Sequence, residues 1–303
     1  MIVLSWNCRG LGNPRPVRIL HRLVGAKKPS LVFLMETKLR RNKMEAIKTR
    51  LGFEGLFVVD CHGRSGGLAL LWKKEVHVTI QNYSRGHICA VIQSGKVGKE
   101  WKFSGFYGNP DVAKRPDSWA LLRHLSRLAP EPWLCVGDFN EITNAAEKTS
   151  STIRPPSQMK AFKQALDDSH LADLGFSGPK FTWCNGRSGS SYNRERLDRA
   201  VANMKWTEIF DVVGVSVLQR GISDHHPIAV EFSKSRDICW NKSRFFKYEA
   251  SWTKQKEHKE IIRKVWRVKQ RDQDPWSTFH KKLSSCRSSL KQWPLSKMNC
   301  TTC

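Results

Sequence analysis

The chain has no long apolar run. Its clearest one, Leu68–Trp72, is far short of the ~20 residues a membrane helix needs, so no spanning segment is expected. The opening Met1-Ile2-Val3-Leu4-Ser5-Trp6-Asn7 lacks the charged leader and extended apolar core of a secretory signal and reads as a strand. Acidic residues are scarce: 27 Asp+Glu stand against 52 Lys+Arg, a formal net charge of +25. A surface that positive gathers polyanions, nucleic acid first and an anionic membrane second. The 9 cysteines are odd in number and scattered, which suits reduced thiols inside a cell better than a disulfide framework. Internal repeats and long low-complexity tracts are missing too. What is present is core material. With 40% hydrophobic and 10% aromatic residues in 303, a disordered or fibrous chain is excluded, and the length suits one large domain or two average ones.

Up to about Phe232 short apolar runs alternate with amphipathic stretches. Residues 2–8, 31–36, 67–72, 76–82, 87–93, 101–107, 133–138, 181–185, 196–202, 212–218 and 227–232 read as strands. Several are apolar at successive positions, as strands covered on both faces are. Val17, Leu20, Leu23 and Val24 repeat at helical spacing behind Pro14 and Pro16. Trp119, Leu122, Leu125 and Leu128 do so again, and Met159, Phe162 and Leu166 a third time. Many strands with interspersed helices predict an α+β fold of packed sheets with helices outside.

The last 71 residues differ: they hold 18 Lys+Arg and 6 Asp+Glu, net +12 of the total +25. Ile261, Ile262, Val265 and Trp266 form one helical stripe, and Phe279, Leu283, Cys286, Leu290 and Trp293 another, joined near Asp274-Pro275. The expected division is residues 1–233 and a basic helical extension, 234–303. That extension reads equally as a nucleic-acid-binding appendage and as a linker whose stripes pack on each other or on another domain.

The informative residues sit where strands stop: Asn7, Glu36, Tyr107, then Asp138 with Asn140, then Asp198, then Asp224 with His225. Side chains at strand ends can converge at one edge of a sheet. Taken singly, Asp138 or Glu36 reads as a loop-opening acid or a helix N-cap, and Ser223-Asp224-His225 as a capped turn. Together they form a chemical kit of hard oxygen ligands, a His with an Asp to orient it, an amide donor, a second acid and a phenol. Few hard oxygen ligands suit Mg²⁺ shared with phosphate oxygens. A His–Asp pair prepares a general base near neutral pH.

In order and wording, Trp6-Asn7-Cys8-Arg9-Gly10-Leu11-Gly12, Glu36-Thr37-Lys38, Val136-Gly137-Asp138-Phe139-Asn140, Phe181-Thr182-Trp183, Glu195-Arg196-Leu197-Asp198-Arg199-Ala200 and Ser223-Asp224-His225-His226-Pro227 resemble the endonuclease/exonuclease/phosphatase superfamily, the DNase I-like fold. Within it they look like the apurinic-type endonuclease domain of plant LINE-type non-LTR retrotransposons. The tail, from Arg244-Phe245-Phe246-Lys247-Tyr248-Glu249 through Trp252 to the Cys286–Trp293 stretch, resembles the segment downstream of that domain in such elements. The resemblance implies a four-layer αββα sandwich and a Mg²⁺-dependent DNA endonuclease, with Mn²⁺ as a substitute. Asn7 and Glu36 would hold the metal, with Asp224 on its side. Tyr107 would contact the scissile phosphate. Asp138 would donate a proton or place the attacking water, Asn140 would stabilise the phosphorane, and Asp198 would orient His225, with His226 a spacer. Duplex DNA would be the partner, RNA a second one for the basic tail, and the location intracellular and nuclear. One departure stands out. Many relatives carry an acid where this chain has Arg9, which argues against a second bound metal.

Other signals are weaker. Cys300-Thr301-Thr302-Cys303 lacks the second pair that zinc needs, and as a prenylation frame its middle residues are polar. Gly63-Arg64-Ser65-Gly66-Gly67 precedes a strand and is no P-loop; it reads as a turn near DNA. The loop 185–194, with Arg187 and Arg194, reads as a hairpin tip or as a hairpin that probes a groove. Two rival functions remain: a phosphatase of the same superfamily, against which the net charge speaks, and an inactive nucleic-acid-binding remnant.

Overall fold

The computed structural model describes residues 1–63, 65–94, 100–128, 132–150, 152–233 and 256–267, with positions 282, 285, 286, 289 and 290 of the tail. The first strands are β1 Ile2–Asn7, β2 Leu31–Met35, β3 Gly55–Val59, β4 Leu68–Trp72, β5 Val76–Ser84, β6 His87–Ser94, β7 Glu100–Tyr107 and β8 Trp133–Asp138. Then come β9 Lys148–Thr149, β10 Ala172–Asp173, β11 Trp183–Cys184, β12 Arg194–Glu195, β13 Asp198–Ala202, β14 Val212–Val217 and β15 Ile228–Ser233. The helices are α1 Pro14–Lys27, α2 Arg41–Leu51, α3 Arg115–Arg127, α4 Pro156–Asp168, α5 Met204–Ile209 and α6 Lys256–Arg267.

Two six-stranded sheets, β14-β15-β1-β2-β4-β3 and β10-β13-β8-β7-β6-β5, form the centre, and β11-β12-β9 a small third sheet. The apolar pattern explains why the sheets stack. In β2, Leu31, Phe33 and Met35 face the core between the sheets while Val32 and Leu34 face the core under α1 and α2. In β8, Leu134 and Val136 face the same central core while Trp133 and Cys135 pack beneath α3 and α4. Alternation at period two with both faces covered gives continuous apolar runs. The result is the four-layer αββα sandwich. Sheets packed face to face lie ~10 Å apart, and at one crossing they come closer: a Cβ on Gly105 would stand 2.4 Å from the Phe33 ring. At the end of β7 away from Tyr107, Trp101 meets Phe232 edge-on, ring centroids 5.4 Å apart.

Each large sheet has one parallel pair, β1 with β2 and β7 with β8, in an otherwise antiparallel order. A parallel pair needs a crossover, which α1 and α3 supply. Both pairs therefore run their carboxyl ends out the same way, and those ends carry Asn7, Glu36, Tyr107 and Asp138.

The structure departs from the sequence reading in places. Helix α2 was not expected: only Met44, Ile47 and Leu51 bury, a stripe too sparse to stand out among its charges. Strand β13 starts at Asp198 rather than Arg196. The six described cysteines are all free. The chain divides into two compact units, residues 1–238 and 239–303. In the second, α6 carries the stripe of Ile261, Ile262 and Val265, and Lys282 Nζ donates to the Trp266 carbonyl at 2.9 Å. Asp274-Pro275, Phe279, Leu283, Trp293, the 244–252 stretch and Cys300–Cys303 lie outside the described residues. Among the described residues no helix is long and apolar enough to cross a membrane.

Candidate active site

The carboxyl ends of the parallel pairs bring their side chains into contact. Asn7 is fully buried, and its Nδ2 donates to Glu36 Oε1 and to Asp138 Oδ2, both at 3.1 Å. Tyr107 donates its hydroxyl to the same Glu36 oxygen at 3.0 Å. Asp138 Oδ1 accepts from the Asn140 main chain at 2.9 Å, and the Asn140 amide donates to the Gly108 carbonyl at 2.8 Å. Gly108 is obligatory there, because a Cβ would fall 2.3 Å from the Phe139 carbonyl. The backbone turns sharply at these strand ends: Arg9, Glu36, Lys38 and Asn140 all hold positive φ, +50°, +50°, +54° and +55°. Non-glycine residues there cost roughly 1–2 kcal/mol each, and such strain gathers at functional sites.

His225 arrives from the turn before β15. Ser223 Oγ donates to the Asn7 carbonyl at 2.8 Å and accepts from the His225 main chain at 3.1 Å, pinning that turn to β1. Asp198 Oδ2 lies 2.9 Å from His225 Nδ1. A carboxylate can only accept, so Nδ1 keeps its hydrogen, and in the neutral imidazole Nε2 presents the lone pair. Nε2 faces Asn7 Nδ2 at 3.5 Å and Asp138 Oδ2 at 3.7 Å. The Asp198 main chain is itself held by Thr182 Oγ1 at 2.9 Å. His226 points away, its Nδ1 on the Leu218 carbonyl at 2.7 Å.

Charge sets the proton affinities. Burial raises the Asp138 carboxyl well above the usual carboxylate range; Asp198 adds to this and His225 opposes it. For His225 burial alone would lower the imidazolium, but the Asp198 and Asp138 carboxylates outweigh it and push it up to about 9. The Tyr107 hydroxyl is pushed up by burial and by Glu36.

The ligand-capable atoms of Asp138, Asp198 and His225 lie within 4.8 Å of one another. All three are buried, and His225 Nδ1 and Asp198 satisfy each other, so the trio reads as a proton-handling group. Glu36 is the better fit for a metal. Its Oε1 is committed to Asn7 and Tyr107, while Oε2 meets only cationic side chains, Lys38 at 3.7 Å and Arg9 at 3.9 Å. The Glu36 carboxylate is the hard oxygen donor that Mg²⁺ takes. Asp224 turns to other partners: its Oδ2 accepts from Trp183 Nε1 at 2.8 Å and pairs with Arg9. Glu36, Asn140, Asp224, Trp183 and His225 line one cleft of about 270 Å³.

Sequence reading missed the ionic scaffold behind the site. Arg199 and Arg196 both reach Glu147 Oε1, at 3.0 and 2.9 Å, and both reach Asp173, at 2.9 and 2.8 Å. Arg115 holds Glu141, next to Asn140, at 2.5 Å. The two arginines stand in Glu195-Arg196-Leu197-Asp198-Arg199, and the acid they share, Glu147, lies 49 and 52 residues earlier in the chain.

Two stacked sheets with helices outside, and a His–Asp–Asn–Glu cluster at one end, define a DNase I-like sandwich. The chain belongs to the endonuclease/exonuclease/phosphatase family, whose model matches residues 4–225. Members of that family are hydrolases of phosphodiester bonds. Among solved structures, the chain is similar to the AP endonuclease LMAP of Leishmania major (TM-score 0.61, 17% identity, 76% of this chain and 86% of that one). It is also similar to the endonuclease domain of TRAS1, a telomere-specific non-LTR retrotransposon (0.57, 14%, 77% and 99%). A third is the 3′ phosphatase NExo from Neisseria bound to a product DNA hairpin (0.57, 18%, 77% and 100%). At these identities the likeness is one of fold. No curated protein matches the chain.

Proposed function

We propose that this protein is a Mg²⁺-dependent DNA endonuclease that nicks a phosphodiester backbone. One observation carries the reading. His225, 2.9 Å from its partner Asp198, faces the same cleft as a carboxylate whose second oxygen meets only the Lys38 and Arg9 cations. His225, held by Asp198, takes the proton of the attacking water through Nε2 in its neutral form, whose share grows as the pH rises toward about 9. Asp138, whose environment favours the protonated form, gives a proton to the leaving oxygen. The Asn140 amide and the Tyr107 hydroxyl meet the phosphoryl oxygens as charge builds on them. Glu36 and Asn7 would hold the metal, which when bound neutralises phosphate charge and activates water. Asp224 stands on that side as the partner of Arg9. The net charge of +25 and the likeness to a retrotransposon endonuclease domain and to a nuclease-fold protein with bound DNA favour DNA as substrate and a retroelement origin.

The test is nicking of supercoiled plasmid with Mg²⁺, with EDTA, and with three variants. Glu36→Ala, Asp138→Ala and His225→Ala should each slow nicking at least about a hundredfold while duplex affinity stays near that of the parent. Near-normal turnover in a folded variant, judged by circular dichroism, would remove that residue from the mechanism.

A further inference from the structure

One oxygen of Glu36 meets two cations of the chain itself. Arg9 Nε is 3.9 Å and Lys38 Nζ 3.7 Å from Oε2, the oxygen left over after Asn7 and Tyr107 have taken Oε1. Arg9 reaches further and pairs with Asp224 through Nη1. Two carboxylates and two cations make this edge neutral. Neither cation is buried: the Arg9 side chain is 51% exposed and Lys38 33%. Both sit on left-handed backbone, at +50° and +54°, a conformation disfavoured for long side chains, and Arg9 lines the cleft beside His225 and Asn140. A structural salt bridge would explain one of them. It does not explain two part-open cations on one carboxylate oxygen at the mouth of a cleft.

The electrostatics decide what they do. A divalent ion placed at Glu36 in the free protein would face both cations with no further anion to balance them. A phosphate entering the cleft supplies that anion, and guanidinium and ammonium groups bind phosphate through charge-assisted hydrogen bonds. We propose that Arg9 and Lys38 are the residues that receive the phosphate of the scissile strand, and that by moving from Glu36 and Asp224 to that phosphate they open the edge to the divalent ion. Metal and nucleic acid then bind cooperatively, each strengthening the other by the same factor. This rests on the metal-nuclease reading above and adds the order in which the site fills.

The experiment titrates Mn²⁺ into the full chain, followed by electron paramagnetic resonance and calorimetry, with and without a nuclease-resistant phosphorothioate duplex. For the parent protein the duplex should tighten Mn²⁺ binding about tenfold or more. Arg9→Gln should bind Mn²⁺ about tenfold tighter than the parent without duplex, the effect of a unit charge on a divalent ion about 5 Å away in a water-like dielectric. It should also lose most of the coupling, bind duplex more weakly, and lower the salt slope of binding by about one. Lys38→Gln should act the same way and gives an independent reading if Arg9→Gln melts early. Unchanged free-state Mn²⁺ affinity and unchanged coupling in both variants would overturn the proposal. Failure of the underlying reading looks different: the parent would not bind Mn²⁺ even with duplex, or Glu36→Ala would bind it as the parent does.

Discussion

Replacing Asp198 by Asn tests the proton-handling group with little steric change. The substitution keeps the volume and removes one charge 2.9 Å from His225 Nδ1. Both residues are buried, so salt screens the pair weakly. A unit pair ~4 Å between charge centres is worth about 4 kcal/mol at an effective dielectric of ~20, about three pKa units. Asp138 remains beside the imidazole and supplies part of what lifts it to about 9, so a fall of about two units is expected. A base with a lower pKa is neutral at lower pH, so the acidic limb of the pH–rate profile moves down. The Asn amide can also donate to Nδ1, which leaves the hydrogen on Nε2, the nitrogen that faces Asn7 and Asp138. An equivalent wrong-tautomer change costs about 10⁴ in a serine protease, so a plateau loss of roughly 10² to 10⁴ is expected here.

The assay is the plasmid-nicking rate at saturating Mg²⁺ over a broad pH range. The double variant with His225→Ala should be no slower than His225→Ala alone, since Asp198 acts through His225. An acidic limb that stays in place, or a plateau within a few-fold of the parent, would show that Asp198 only holds the turn at the start of β13.

Two further outcomes rest on charge. Glu147 is held well below the ordinary 4.5, at about 2, because its Arg199 and Arg196 contacts outweigh burial. Its contribution to stability, about 3 kcal/mol, is present above pH 4.5 and fades as the pH falls toward about 2. Glu147→Gln should therefore melt well below the parent at pH 7, with the gap closing in acid. A gap independent of pH would assign the loss to packing. Truncation after Ser233 removes net +12 of the +25 and should weaken duplex binding and flatten its salt dependence, while nicking at saturating DNA survives. An identical salt slope would make the tail a linker.

Most of the longer strands were legible because their cause is local, whereas β3, only half-buried along its length, was not. Leu31–Met35 and Trp133–Asp138 are buried along their whole length, and a continuous apolar run bounded by polar residues has few alternatives. The three long amphipathic helices were legible for the same reason. Helix α2 was not, since three buried residues among charges leave little period to see. The strands β9, β10 and β12 are two residues each and exist only through their partners, so propensity carries no trace of them. The site residues could be named from strand ends and from resemblance. Their connections could not. Nothing in the chain order says that Asn7 joins Glu36 to Asp138, or that Asp224 is taken up by Trp183 and Arg9.

What the sequence hides best is the backbone on which the site rests. Six described non-glycine residues have positive φ, and four of them, Arg9, Glu36, Lys38 and Asn140, belong to the cleft or flank it. None is a residue that local preference would place there except Asn140. Each follows a strand of a parallel pair within a few residues. β1 and β2 hold the register Asn7↔Met35, and β7 and β8 the register Tyr107↔Asp138. The sheets therefore fix where the strands end, and the side chains needed in the cleft must turn back from those ends. Glycine would make that turn without strain but brings no carboxylate, guanidinium or amide. A chain that keeps Glu36 and Arg9 in left-handed positions gives up stability to place those side chains at the cleft, and local conflict of this kind is where sequence rules fail.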